Sequence, residues 1–291
     1  MLLVEYLNQR FPESTRTTLK RMVEARRVTI NGRPARRLKD PIAPEDRVEI
    51  LDRPKKAARA ETGRVSFPIL HEDEDLIVVL KPPGLLTSTN ARERRPTLAA
   101  KLKEYLEAGE PSARLGVIHR LDRDASGLLV FTKNPDAYAN LKRQFFHHTV
   151  ERIYTAVIEG VPTPREGRIE NFLMELPDGR VVRVQDPRRG QLSVTEYHTI
   201  KTLKRPKPLG PVSLLRVKLQ TGRKHQIRAH FAARKTPIAG DAMYGAKDEG
   251  EARLLLAATS LAFDHPRTGE RMTFEVDPPK EITALFPAEG K

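Results

Sequence analysis

Two nearly unbroken apolar runs, Leu-Ile-Val-Val-Leu at residues 76–80 and Gly-Leu-Leu-Val-Phe at 127–131, constrain the fold of this chain more than any other feature. A strand with one wet face alternates polar and apolar side chains. A short continuous run therefore reads as a strand covered on both faces and set centrally in a sheet. Segments 154–158 and 212–219 read as further strands. Helical periodicity marks 97–106 and 135–146, and another helix starts near Lys224. The pattern predicts an α+β domain on a large, mixed, mostly antiparallel sheet with few helices.

The first fifty or so residues read as a separate module. Leu2, Leu3, Tyr6 and Leu7 share one helical face, Pro12 interrupts, and Ser14 can cap a second helix bearing the stripe Leu19, Met22 and Val23. Val28-Thr29-Ile30 reads as a strand, Asn31-Gly32 as a hairpin turn, and 46–50 as a second alternating strand. Residues 52–66 hold almost no large hydrophobe. They are expected to be a flexible charged linker between a small α/β module at 1–51 and a larger domain at 67–291.

Lysine and arginine number 52 against 38 acids, a formal charge of +14. Such an excess favours a polyanionic partner, because each cation placed on a phosphate releases condensed counterions. The module is especially dense: Arg16, Lys20, Arg21, Arg26 and Arg27 flank its second helix, and Arg33, Arg36, Arg37 and Lys39 follow the turn. Nucleic acid is the expected partner. The absence of cysteine excludes a disulfide framework, a thiolate zinc site and a cysteine nucleophile. No apolar run approaches the roughly 18 residues of a spanning helix. The opening Met-Leu-Leu-Val-Glu-Tyr carries an acid where a secretion signal is continuous hydrophobe, so a soluble cytoplasmic protein is expected.

The densest polar stretch in an apolar setting is His119-Arg-Leu-Asp122-Arg-Asp-Ala-Ser-Gly127. Charged residues between two buried strands form a loop on a rigid scaffold, where function concentrates. The competing reading is a turn in which Asp122 and Asp124 accept backbone hydrogen bonds and the arginines face water. A second constellation runs from Thr221 to His230. There Ile227 and Phe231 share one helical face and Arg228 occupies another, so the arginine can be held inward, or the segment is an ordinary basic helix start. His119, His225 and His230 match no familiar ligand spacing, and no metal is expected. Lys81-Pro-Pro-Gly84 lacks the spacing of a phosphate-cradling loop, and no Gly-x-Ser-x-Gly elbow occurs.

Taken in order, these segments resemble the RluA-type pseudouridine synthases over about residues 67–280. The matching residues are the His119 to Gly127 stretch, Lys81-Pro-Pro-Gly84, Arg152-Ile-Tyr154, Gly222-Arg-Lys-His-Gln-Ile-Arg228 and Gly240-Asp-Ala-Met-Tyr-Gly245. Ser14-Thr15-Arg16 and Val28-Thr-Ile-Asn-Gly32 resemble the alpha-L RNA-binding module. The resemblance implies the pseudouridine synthase fold, Asp122 as the catalytic aspartate, Tyr154 against the target base, and Arg228 paired with Asp122. It also implies that Arg120 enters the space left by a flipped nucleotide. The chain departs from the family pattern at Ser88, at Ala125 and at Ala257.

The implied reaction breaks the bond from ribose C1′ to N1, turns the uracil and rejoins it through C5. It needs no redox partner and no group donor, so no cofactor is expected. A carboxylate must attack or take a ribose proton, and a pocket must retain the freed base. An arginine opposite Asp122 would supply its countercharge and fix its orientation. A tyrosine ring can stack on uracil, and a side chain such as Arg120 can fill the gap in the stack. Structured RNA is the expected partner, ribosomal first and transfer RNA second, with no membrane and no obligate protein partner. The alternative from another class is a non-catalytic RNA-binding or ribosome-assembly factor, which has no reason to hold an aspartate opposite a buried arginine. A nuclease is disfavoured by the lack of an acid cluster suited to two metals.

Overall fold

In a computed structural model of the chain, residues 1–12, 16–24, 27–51, 67–89, 95–110, 113–204, 210–246 and 253–286 are described. The chain divides into two compact units, Met1–Thr62 and Gly63–Lys291. The segment read as a linker, 52–66, lies outside the described residues, as does the expected cap Ser14.

In the first unit, α1 (Leu3–Arg10) and α2 (Arg16–Glu24) bury Leu3, Leu7, Leu19, Met22 and Val23 together with Val28, Ala35 and Ile42. Leu2 departs from the expected stripe. It precedes the helix in extended backbone and is 38% exposed. Asn31 and Gly32 both take positive φ, 52° and 76°, the backbone of a two-residue hairpin turn. That turn returns β1 (Val28–Ile30) to the short β2 (Arg33–Pro34) and not to segment 46–50. The latter supplies β3 (Val48–Ile50) on the other side of β1, in the order β2-β1-β3. Pro34, lacking an N–H, stands on an edge strand where no donor is needed.

The second unit begins with β4 (Ile69–Glu72), β5 (Leu76–Lys81), α3 (Leu98–Glu107), β6 (Gly116–Val117), β7 (Ser126–Thr132) and α4 (Pro135–Phe146). It continues through β8 (Glu151–Glu159), β9 (Glu166–Glu175), β10 (Val181–Val184), β11 (Gln191–Leu203), β12 (Val212–Leu219), α5 (Gln226–Ala233), β13 (Leu256–Asp264), β14 (Arg271–Glu275) and α6 (Lys280–Leu285). Eleven of these strands form one sheet along the path β10-β9-β11-β12-β8-β13-β7-β5-β4, with β14 beside β13 and β6 beside β7. Helix α4 starts where its sequence says it should: Asn134 accepts from the N–H of Ala137 at 2.9 Å and Pro135 opens the first turn.

The two apolar runs are covered on both faces. Ile77, Val79, Leu129 and Phe131 pack with Leu98 and Leu102 of α3, while Leu76, Val78, Leu128 and Val130 pack with Leu141 of α4. Their place differs from the expected centre, since β5 lies next to the edge strand β4. Cover by helices from either side, and not distance from the edge, made the run apolar. The sheet is mostly antiparallel, but β7 and β13 run parallel through Ser126–Ala257 and Gly127–Ala258. At Gly127, with φ of 120°, a Cβ would overlap the carbonyl of Ala258.

Helix α5 is buried all round from Gln226 to Phe231. Its polar side chains therefore need internal partners. The Gln226 amide donates to the Val194 carbonyl and to Thr195 Oγ1, each at 2.9 Å, and its oxygen accepts from Thr221 Oγ1 at 2.7 Å and the Arg223 N–H at 3.0 Å. His230, fully buried, spans Thr195 Oγ1 at 2.9 Å and Asn171 Oδ1 at 3.0 Å. This network fastens α5 to β9 and β11.

Burial pushes the His230 imidazole down to about 4 from 6.5. The folded state thus binds fewer protons than the unfolded chain between those values. Stability is full above about pH 6.5 and is lost as pH falls toward 4. Between pH 7 and pH 5 this group should remove about 2 kcal/mol. His230→Gln keeps an amide able to bond both neighbours but cannot titrate, so urea midpoints of the variant should fall less over that interval. Identical pH dependence in parent and variant would exclude His230 as the titrating group.

Candidate active site

Asp122 stands on an irregular loop between β6 and β7, and side chains from the preceding segment pin the backbone on either side of it. Thr87 Oγ1 accepts from the Leu121 N–H at 3.1 Å and donates to the Leu121 carbonyl at 2.8 Å. Lys81, fully buried, gives its ammonium protons to the carbonyls of Pro82, Leu85 and Arg123 at 2.9, 2.6 and 2.8 Å. Burial lowers the Lys81 ammonium to about 8, with Asp124 and Asp122 opposing the shift. The Lys-Pro-Pro-Gly turn is thus a buttress under the loop.

The Asp122 side chain is 16% exposed and lines a cavity of about 660 Å³, within the usual range for ligand sites. Tyr154, Arg120, His225 and Arg152 share that wall. Arg228 Nη1 lies 3.3 Å from Asp122 Oδ2, yet its main partner is another acid. Its Nε and Nη2 meet both oxygens of Asp241 at 2.7 and 2.8 Å. The expected simple pair is therefore a triad. A planar guanidinium offers one edge to a carboxylate in two parallel bonds, leaving its remaining nitrogen for Asp122. Burial opposes the Arg228 charge, but Asp241 and then Asp122 outweigh it and hold the group above its ordinary range.

Tyr244 closes the triad from below, its ring 4.9 Å from the Arg228 guanidinium. The Tyr244 hydroxyl accepts from the Val181 N–H at 2.8 Å and meets His225 Nδ1 at 3.0 Å. His225 takes left-handed backbone, φ 50°, and its Nε2 lies 3.9 Å from Asp122 Oδ1. Burial lowers its imidazole pKa against the pull of Asp122, favouring the neutral ring.

Of the turn reading only the solvated Arg120 fits. Among the described residues Asp124 accepts from the Arg123 side chain at 2.9 Å and not from backbone, and no backbone N–H reaches the Asp122 carboxylate. In the small unit Arg16 and Lys20 are exposed, while Arg27 donates to the Leu51 carbonyl at 3.2 Å and ties the unit to itself. Arg26 and the side chain of Arg21 lie outside the described residues. His119 accepts from the Val130 N–H at 3.1 Å and stacks on Phe145, so it and His230 are structurally occupied. Among the described residues one group, Asp73, Asp75 and His265, is close enough for a metal, but Arg267 holds both oxygens of Asp75 at 2.7 Å. Of the three departures, Ser88 and Ala125 line the cavity and Ala257 does not.

Sequence reasoning did not assign Asp241, Tyr244, Phe145 or Phe146 to the site. Phe146, 76% exposed, belongs to the cavity lining. Arg152 was visible as a motif residue, and the period of two along β8 puts it on the Tyr154 face.

A carboxylate on a braced loop lines a large cavity with several cationic side chains, in a mixed sheet of this order, an arrangement that suits an anionic ligand. The fold is that of the solved human RNA pseudouridylate synthase domain containing 4, with a TM-score of 0.61 and 23% identity over 76% of this chain and 94% of that one. The RNA pseudouridylate synthase family matches residues 75–233, and the S4 domain matches 1–48. The chain is 30% identical to an uncharacterized RNA pseudouridine synthase of Aquifex aeolicus over 97% of this chain and 92% of that protein. It is 34% identical to ribosomal large subunit pseudouridine synthase D of Zymomonas mobilis, over 79% of this chain and 75% of that protein. The chain belongs to the RNA pseudouridine synthase family, isomerases that convert uridine to pseudouridine, and it carries an RNA-binding S4 domain.

Removing Arg228 leaves Asp241, whose side chain is 1% exposed, as an unpaired buried anion. Arg228→Met should cost about 3–5 kcal/mol of stability. Arg228→Met with Asp241→Leu removes both charges and should recover part of that loss in urea titrations. An equal loss in the single and double variants would show that the Asp241 pair does not carry the effect.

Proposed function

We propose that this enzyme isomerises uridine in large-subunit ribosomal RNA, with Asp122 as the reacting carboxylate. The observation that carries the reading is the division of labour around Arg228. Asp241 has both oxygens committed to it, whereas Asp122 accepts one hydrogen bond from it at 3.3 Å, has His225 Nε2 3.9 Å from its other oxygen, and lines the cavity. Attack on C1′ and removal of a ribose proton both require such an oxygen, fixed in place but not consumed. The C1′–N1 bond breaks, uracil turns, the C1′–C5 bond forms, and the proton lost from C5 is matched by one gained at N1. The atoms balance without a cofactor.

Tyr154, 6% exposed in the same wall, offers a ring to the base, and burial pushes its hydroxyl pKa up, so it stays a neutral phenol. Arg120, exposed at the cavity, suits the gap left by a flipped nucleotide. Relatives named for the large ribosomal subunit support ribosomal over transfer RNA, and such a substrate implies a cytoplasmic reaction. In this reading residues 1–51 capture RNA through Arg16, Lys20 and their neighbours, 52–66 tether, and 67–291 perform the chemistry.

Asp122→Asn keeps the shape and removes the charge. With a large-subunit ribosomal RNA transcript it should lower the single-turnover rate by at least about 10³-fold without weakening RNA binding. Turnover close to the parent's would remove Asp122 from the chemistry. A parent protein that binds RNA and forms no pseudouridine would favour the non-catalytic alternative.

Deletion of residues 1–60 should weaken RNA binding and flatten the dependence of log affinity on log salt, with the rate at saturating RNA largely kept. Unchanged affinity and slope would leave the basic helix as a solvated face.

A further inference from the structure

Arg152 is a buried cation in the cavity wall that the reaction above leaves unused. It is 9% exposed and lies two residues before Tyr154 on β8, on the same face. Among the described residues its side chain has no carboxylate within ion-pairing distance, and its Nε has no hydrogen-bond partner. The neighbouring acid does not help: Glu151 is engaged with Lys218 and Arg271. The guanidinium is nonetheless tightly placed. Phe145 lies across it at 5.4 Å and in turn stacks on His119 at 4.8 Å. On another side Gly222 gives it room, since a Cβ there would overlap Nη1.

An uncompensated buried charge is costly, and a buried arginine ordinarily has an acid beside it. A site that retains such a charge, shaped on two sides and open to a cavity, is matched to an anion that arrives with the ligand. The same wall carries Arg120, Lys142 and Arg223, and Lys224 paired with Glu175, against the single lining carboxylate of Asp122. We infer that Arg152, framed by Phe145 and Gly222, binds a backbone phosphate of the RNA next to the flipped uridine. The inference rests on RNA entering this cavity, as proposed above. A phosphate brings a full and permanent charge and two oxygens that fit the guanidinium fork. A uracil carbonyl would carry comparable charge only while the glycosidic bond is broken, leaving the bound ground state uncompensated.

The test compares the full-length parent with Arg152→Met and Arg152→Lys on a large-subunit ribosomal RNA transcript. Affinity across a potassium chloride series, single-turnover rate at saturating RNA, and urea stability are measured separately. Arg152→Met should bind about tenfold more weakly and flatten the slope of log affinity against log salt by about 0.7–0.9, the loss of one phosphate contact. Its rate at saturation should stay within about threefold of the parent's, and its stability should not fall, because no partner is abandoned. Arg152→Lys should restore the slope and part of the affinity. Unchanged affinity with a slower saturated rate would overturn the proposal and assign Arg152 to the departing uracil. Lower stability with unchanged affinity and slope would make it structural. If the parent binds the transcript without forming pseudouridine, the functional reading fails while the affinity and salt-slope comparison still decides the phosphate contact.

Discussion

The guanidinium of Arg228, 6% exposed between Asp241 and Asp122, is the constraint around which the catalytic unit is built. A cation so far from water is costly, and anions of fixed geometry offset that cost here. That condition reaches outward through the fold. Helix α5 must be buried on all sides to carry the arginine inward, so Gln226 and His230 must find partners on β9 and β11. Asp241 must be delivered by the turn after Ile238 and Ala239, which join the strand core. With one cation and two anions the triad is one negative charge in excess. Asp241 spends both oxygens on the arginine, so the surplus belongs to Asp122, the member that faces the cavity.

The second requirement is that this surplus be held still. An irregular loop has no ladder of its own to set its backbone, and Asp122 would otherwise wander by more than the attack or proton removal proposed for it can tolerate. Lys81 and Thr87 supply the missing order by bonding the residues immediately before and after it. Both come from the chain leaving β5, which β7 pairs along its whole length. The loop is therefore referred to the same sheet on both sides. Polar groups buried under it are satisfied, so rigidity is obtained without orphaned donors.

Much of this was legible in sequence, and the reasons are local. Helix α4 announces itself through Asn134, Pro135 and an apolar face, and β5 and β7 through runs too apolar for a wet strand. The order of strands was not legible, because an apolar run reports cover and not position. Strand β13 went unread: its alanines carry little β signal, and its burial on both faces follows from strands brought together only by the fold. The Asp241 half of the triad was hidden for a related reason. The family resemblance implied that Asp122 and Arg228 pair across 106 positions, but not that a nearer aspartate meets the other edge of the fork first. In the small unit the stripe of α2 and the Asn31-Gly32 turn were plain, while the partner chosen by that turn depended on a two-residue strand too short to have a pattern.

The remaining question is how a carboxylate can serve a polyanion at all. Two unit negative charges about 6 Å apart repel by about 3 kcal/mol at an effective dielectric near 20, enough to weaken binding by about two powers of ten. An RNA whose sugar approaches Asp122 brings its phosphates to roughly that range. The cations of the cavity wall, Arg120, Lys142, Arg223 and Lys224, stand where they can oppose that repulsion. Neutralising Asp122 directly would defeat the chemistry proposed for it, so compensation has to come from groups that reach the phosphates without binding the carboxylate. Separation of the two functions in space is the solution: Arg228 is held by both oxygens of Asp241, meets Asp122 through one nitrogen and is too buried to leave, while the outer cations remain at the wall. The basic character of the chain and the single carboxylate among the described residues of the cavity wall are thus two halves of one electrostatic arrangement.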